Sequence, residues 1–190
     1  MKKLTAFALL IGSITLSPLA IASNSTVSLG YAHSDIKDVS GINGINMKYR
    51  YEWDSPLSII SSLTYMSGSK DFFDSTSTYN YRTTENFKYY SLSAGPAYRI
   101  NQYVSLYGLI GLNYNKVDAN FVQSGKGNNS TTLYQQNFNM RKTSVMYGFG
   151  VQVNPTKNLM LDLGYEGSRI KDDFKSYHIN GFNIGVGYRF

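Results

Sequence analysis

Residues 181–190 read Gly-Phe-Asn-Ile-Gly-Val-Gly-Tyr-Arg-Phe, and two kinds of side chain alternate through the whole stretch. Phe182, Ile184, Val186, Tyr188 and Phe190 occupy one parity, and Gly181, Asn183, Gly185, Gly187 and Arg189 the other. Successive side chains of a β-strand point to opposite faces, so this is a strand with one bulky, apolar face and one small or polar face. The pattern returns upstream. Val145, Tyr147, Phe149, Val151 and Val153 alternate with Ser144, Met146, Gly148, Gly150 and Gln152, and Leu159, Leu161, Leu163 and Tyr165 with Met160, Asp162, Gly164 and Glu166.

Segments 27–32, 45–51, 57–65, 89–99 and 104–115 repeat it less cleanly. Together they make eight strands, most near the roughly 9–11 residues that cross a bilayer at a tilt. Connection lengths alternate as well. Residues 52–56, 100–103 and 154–158 are tight and hold turn formers such as Asp54-Ser55-Pro56 and Asn154-Pro155, while 34–41, 67–86, 116–140 and 170–176 are longer. Short turns at one end and longer loops at the other are the habit of outer-membrane barrels, and an even strand count puts both chain ends on the turn side. The expected fold is all-β: an eight-stranded antiparallel transmembrane β-barrel with four extracellular loops.

A soluble sandwich or lipocalin-like barrel competes with this reading, because alternation alone says only that one face is buried. In a soluble barrel the bulky residues would fill the interior and leave a glycine-rich wall in water, wasting backbone entropy. In a narrow membrane barrel the bulky face meets lipid and the lumen takes the small residues. The 17 Tyr and 10 Phe suit rings that sit at bilayer interfaces. Cysteine is absent, which removes disulfides, thiol catalysis and thiolate metal sites.

Residues 1–22 read as a secretory signal: Lys2 and Lys3, the apolar stretch 4–16, then Ala20-Ile21-Ala22 as a small-x-small cleavage site. Ser13, Thr15, Ser17 and Pro18 interrupt the apolar run, which speaks against an anchor needing about 20 residues. The mature domain is expected to be 23–190, in a Gram-negative outer membrane. Removing the signal lowers the net charge from +6 to +4, a mild excess spread along the chain, and no nucleic-acid module or phosphate loop accompanies it.

On this register Lys48, Arg50, Arg99, Asp162, Glu166 and Arg189 face the lumen, since charges are rarely left in lipid. A salt-bridged plug is the expectation and a proton or ion path the alternative. His33 and His178 stand in no metal-ligand or nucleophile-base spacing. Ser176 and His178, sharing one strand face, suggest a lipid-modifying barrel enzyme, but no third group orients the histidine. Asp172-Asp173 lies between Lys171 and Lys175 and reads as a solvated tip. No catalytic residue, metal or cofactor is expected.

Six stretches resemble the strands and turns of the Ail/Lom group of small enterobacterial outer-membrane proteins, which includes OmpX, Rck and PagC. They are Gly30-Tyr31-Ala32, Met47-Lys48-Tyr49-Arg50-Tyr51-Glu52, Ala94-Gly95-Pro96-Ala97-Tyr98-Arg99-Ile100, Val104-Ser105-Leu106-Tyr107-Gly108, Asn154-Pro155 and Gly185-Val186-Gly187-Tyr188-Arg189-Phe190. Asp54-Ser55-Pro56 and Ile179-Asn180-Gly181-Phe182-Asn183 look nearest to the PagC-like branch. The resemblance implies a monomeric, non-enzymatic barrel serving virulence: attachment to host cells and matrix proteins, invasion, serum (complement) resistance, or survival in phagocytes. A structural protein that only contacts lipopolysaccharide is the remaining alternative.

The resemblance is thin in the loops, where surface function resides. Lys70, Arg82, Lys88, Lys116, Lys126, Arg141, Lys142, Lys171 and Lys175 are the expected contacts to lipopolysaccharide and to host surface, matrix or complement proteins, tempered by Asp71, Asp74, Asp118, Asp172 and Asp173. The 116–140 connection, rich in Gly, Ser and Asn at 124–132, is expected to be the longest mobile loop. Tyr188 and Phe190, a terminal aromatic end on an alternating strand, resemble the signal read by the outer-membrane assembly machinery.

Overall fold

The computed structural model describes residues 25–36, 40–126, 132–171 and 176–190; the expected signal, 1–22, lies outside them. Eight strands follow one another around a closed antiparallel barrel: β1 Ser25–Ile36, β2 Ser40–Glu52, β3 Leu57–Ser75, β4 Tyr79–Arg99, β5 Val104–Gly125, β6 Thr132–Val153, β7 Leu159–Lys171 and β8 Ser176–Arg189. β1 closes on β8 from Thr26↔Arg189 to Ile36↔Ile179. In hydrocarbon an unpaired backbone N–H or C=O costs several kcal/mol, so this last ladder removes two edges that lipid would not tolerate.

The bulky parity faces outward on every strand. Leu29, Ile45, Leu63, Leu92, Ile110, Phe149, Leu163 and Ile184 are all exposed, in a belt far larger than a water-soluble monomer leaves bare. Aromatic rings flank the belt. Trp53, Tyr98, Tyr103, Tyr188 and Phe190 stand exposed at the turn end, and Tyr65, Tyr90 and Tyr114 run side by side at the other, with ring centroids 5.0 and 6.4 Å apart. Rings with one polar atom are suited to the boundary between lipid and water.

At the turn end, side-chain oxygens take the backbone donors that the ladders leave over. Asn101 Oδ1 accepts from Tyr103 N and Val104 N at 2.8 Å each, and Thr156 Oγ1 from Leu159 N at 3.1 Å. These connections are four, four and five residues long.

The far end differs from expectation. Residues 67–86 and 116–140, expected as loops, are mostly strand: β3 and β4 pair out to Ser75↔Asn80, and β5 and β6 to Ser124↔Thr132. β2 leaves β3 at Asn43↔Ser67, and β7 leaves β6 at Met146↔Ser168, so four strands project past the barrel as a sheet. The tip at 127–131 lies outside the described residues.

Beyond the tyrosine band the polarity of the two faces reverses. The outward parity now carries Lys88, Asn86, Thr84 and Arg82 on β4 and Lys116, Asp118 and Asn120 on β5. The inward parity carries Phe72, Tyr81, Phe121, Tyr134 and Phe138 instead, with Tyr81 stacked on Phe121 at 6.0 Å and Phe121 edge-on to Tyr134 at 6.3 Å. Water has replaced lipid on the outside: the outward residues of β4 and β5 turn polar, and aromatic rings gather at inward positions.

Val186, outward and flanked across the ladders by Leu29 and Leu161, lies between the two aromatic bands. A lysine there costs about 2–4 kcal/mol at the midplane. Val186→Lys is expected to block insertion, read as loss of the heat-dependent shift in gel mobility and of protease-resistant barrel. Normal assembly would reverse the inward and outward assignment.

Candidate functional site

The lumen is filled in three tiers. At the turn end three guanidinium groups from three strands converge on Glu52: Arg50 Nε reaches Oε1 at 3.1 Å, Arg189 Nη2 reaches Oε2 at 2.7 Å, and Arg99 Nη2 bonds the same Oε2. Arg50 also donates from Nε to Ser58 Oγ at 2.9 Å and from Nη1 to Gln152 Oε1 at 3.0 Å.

Gln152 hands the network on to the middle tier, donating to Asp162 Oδ2 at 3.0 Å. Asp162 Oδ1 takes Lys48 Nζ at 2.5 Å and the Tyr107 hydroxyl at 3.1 Å, and Lys48 also donates to Asn183 Oδ1 at 2.5 Å. Tyr107 lies across the lumen because the strands opposite carry no side chain where it ends: a Cβ on Gly150 or Gly164 would stand 2.3 or 2.4 Å from its hydroxyl oxygen. Lys48 and Asp162 are each only 2% exposed, so neither ion has water to fall back on.

In the third tier Glu166 accepts from Tyr89 at 2.7 Å, from Thr64 at 2.8 Å and from Ser91. Above it Ala32, Ile42, Met66, Phe87 and Ile179 pack with Tyr89 into a buried apolar cluster. The carboxylates and the ammonium are thus held by one another and by hydroxyl and amide groups below an apolar lid, which favours a plug over an ion path.

All six lumen charges expected from the sequence lie in this network. Glu52, Tyr89, Tyr107 and Gln152 were not among them. Glu52 looks like part of a turn because Trp53-Asp54-Ser55-Pro56 follows, yet it shares parity with Lys48 and Arg50. Tyr89 and Tyr107 sit at inward positions where a small residue is expected, and the room for Tyr107 comes from Gly150 and Gly164 on strands distant in sequence.

The expected rim cations separate into groups. Lys88, Lys116 and Arg141 are direct cross-strand neighbours on the outward face, one step beyond Tyr90 and Tyr114. Lys116 is also paired with Asp118 at 2.8 Å. Lys142, opposite buried Asn115, has the inward parity and leaves this row.

Further out, Arg82 stands over Phe73 at 5.0 Å and 3.7 Å from Asp71, Lys70 stands over Phe72 at 4.7 Å, and Lys126 Nζ donates to Thr76 O at 2.8 Å. Asp172, Asp173 and Lys175 lie outside the described residues, as do the side chains of Lys171 and Ser176. His178 is exposed opposite Arg169, and His33 holds Asn43 Oδ1 from Nδ1 at 2.6 Å with Asp35 3.5 Å from Nε2.

Comparison with known proteins agrees with this architecture. The family described as Enterobacterial Ail/Lom protein matches residues 1–190. The virulence membrane protein PagC of Salmonella typhimurium is 42% identical over 180 residues, 94% of this chain and 93% of that protein. Outer membrane protein X of Enterobacter cloacae is 38% identical over 193 residues, covering 100% of both. The crystal structure of Ail, the attachment invasion locus protein of Yersinia pestis, in complex with the heparin analogue sucrose octasulfate superposes with a TM-score of 0.69 at 34% identity, over 90% of this chain and 100% of that one.

Asp162 joins Lys48, Tyr107 and Gln152, so its loss isolates a buried ammonium. Removing one partner of a buried pair costs about 3–5 kcal/mol. Asp162→Ala is expected to lower the unfolding temperature of the folded barrel without opening a conductance in planar bilayers. Single-channel current in either form would refute the plug.

Proposed function

The chain belongs to the enterobacterial Ail/Lom family, and on that footing we propose that its projecting sheet is an outer-surface platform that contacts lipopolysaccharide at its base and host polyanions toward its tip. The protein is a virulence-associated outer-membrane β-barrel of the attachment and invasion class, like the relatives it matches. In this reading the signal 1–22 is cleaved, the tight turns face the periplasm, and the sheet stands outside the cell. Tyr188 and Phe190 then serve as the assembly signal.

The observation that carries the proposal is the row Lys88, Lys116 and Arg141, set just beyond the tyrosine band. Like charges directly opposite across a ladder repel, and Asp118 offsets only one of the three. Phosphates of the outer leaflet lie at that height and match guanidinium and ammonium donors. Toward the tip, Arg82 and Lys126 are exposed, while Lys70 is half-buried on the inward parity over Phe72. The solved relative holds a polysulfated heparin analogue, which supports a sulfated or otherwise polyanionic host surface as the partner class. Over 116–125 and 132–140 the platform is paired sheet where a mobile loop was expected, so the charges on it are held at fixed spacing.

A basic side chain near an anionic leaflet is worth about 1 kcal/mol. The triple variant K88Q, K116Q and R141Q is therefore expected to remain heat-modifiable and surface-exposed while binding lipopolysaccharide bilayers roughly a hundredfold less well at low salt, by that same per-residue figure. The tip variant R82Q and K126Q is expected to keep lipopolysaccharide binding and lose heparin retention and host-cell adherence, with the difference shrinking as salt rises. Unchanged binding and adherence in both would remove the sheet from the function.

A further inference from the structure

The turn end opens into a cavity of about 830 Å³, between the 100–103 and 154–158 turns and the end of β8. We propose that this mouth is a binding site for a small soluble polyanion, a molecule carrying two or more phosphate or carboxylate groups.

Charge is the first reason. Arg99, Arg189 and Lys157 are the charged side chains among the residues lining the cavity, set against the main-chain carboxylate of Phe190. Beneath them Arg50, Arg99 and Arg189 share the carboxylate of Glu52 alone. With Lys157 and the Phe190 carboxylate included, four cations stand against two carboxylates, so a net of two positive charges gathers at the mouth of a recess walled by protein, where an electric field is focused rather than screened.

Hydrogen bonding is the second. The Arg189 Nε–H is buried without a partner, a state that charged donors rarely keep. The Nε itself is closed off from the mouth, and an anion there meets the accessible part of a guanidinium whose own hydrogen bonding is incomplete.

Preorganisation is the third. Arg99 and Arg189 bond the same Glu52 oxygen, so their planar forks are held side by side before a ligand arrives. Asn158 fixes the Arg189 backbone from both sides: its side-chain amide donates to Arg189 O and its carbonyl accepts from Arg189 N, each at 2.9 Å. Guanidinium pairs held this way match phosphate and carboxylate bidentately at little further entropy cost. The cavity's size lies within the roughly 300–1,000 Å³ of small-molecule sites. Asp54 lines a neighbouring hollow that shares Arg99, so the site competes with one exposed carboxylate and is selective for multiply charged ligands.

The test uses the full-length barrel in nanodiscs of zwitterionic lipid, titrated with pyrophosphate and with citrate by calorimetry. One saturable site per barrel is expected, weakened by salt, weakened about tenfold or more by R99Q and by K157Q, and strengthened by E52Q, which removes the competing carboxylate. Nanodiscs of anionic lipid distinguish the source: unchanged affinity supports a soluble ligand, and loss by competition moves the natural occupant to a lipid headgroup, against the proposal. Lys157 lies in an exposed turn, so K157Q carries the test if R99Q fails to assemble. No saturable binding, binding indifferent to K157Q, or binding abolished instead by the outer variant K88Q, K116Q and R141Q would overturn the site.

Discussion

Hydrocarbon offers a peptide N–H no partner, and that single constraint organises the molecule. It requires every spanning strand to have two neighbours, hence the closure of β1 on β8, and closure with eight strands fixes a lumen too narrow to be left as solvent. A narrow lumen must then be filled by side chains whose polar atoms satisfy one another. Glu52, Asp162 and Glu166 each gather several donors from different strands, so the network stitches the wall from inside while the ladders stitch it along the surface. Glycine is needed where the filling is large: Gly150 and Gly164 exist opposite Tyr107 because any Cβ there would collide with it.

Where the hydrocarbon ends, the same strands obey a different rule. From Leu63 to Tyr65 the outward residues of β3 suit lipid; from Ser69 to Phe73 they are mixed, and their neighbours on β4 are Asn86, Thr84 and Arg82. Backbone pairing does not change across this line, because hydrogen bonding between strands is indifferent to what bathes their faces. Only the side chains report the boundary, and they do so by exchanging which parity is polar.

That exchange explains what was legible in the sequence. The last strand, the Ser144–Val153 alternation and the tight turns carry apolar and small residues in strict order, and their strands and register followed directly. Residues 67–86 and 116–140 looked like loops because their outward positions had turned polar, although Tyr81, Phe121, Tyr134 and Phe138 keep the period on the other parity. Glu52 was hidden by the turn residues behind it. Tyr89 and Tyr107 were hidden by size, and the space that Tyr107 occupies is made by glycines on strands far away in the chain. Surface function was hardest to read: a row such as Lys88, Lys116 and Arg141 comes from three separate segments and exists only once the ladders are in register.

Charge is distributed along the barrel axis in a way that follows from solvation. In the middle, where nothing but protein is available, Lys48 is matched by Asp162, and Glu166 is held by three hydroxyl donors. Excess positive charge collects instead at the two rims, as three cations beside one acid at the far side of the belt and three guanidinium groups on one acid at the turn end. A charge that the chain does not neutralise is tolerable only where water or a ligand reaches it. Because the wall between the rims is dictated by lipid and the plug by the wall, the far rim, which takes no part in the plug, is the surface on which recognition can change at least cost to the fold. The projecting sheet adds to this by extending paired backbone past the barrel, so that its side chains can change on a frame that β-pairing has already fixed.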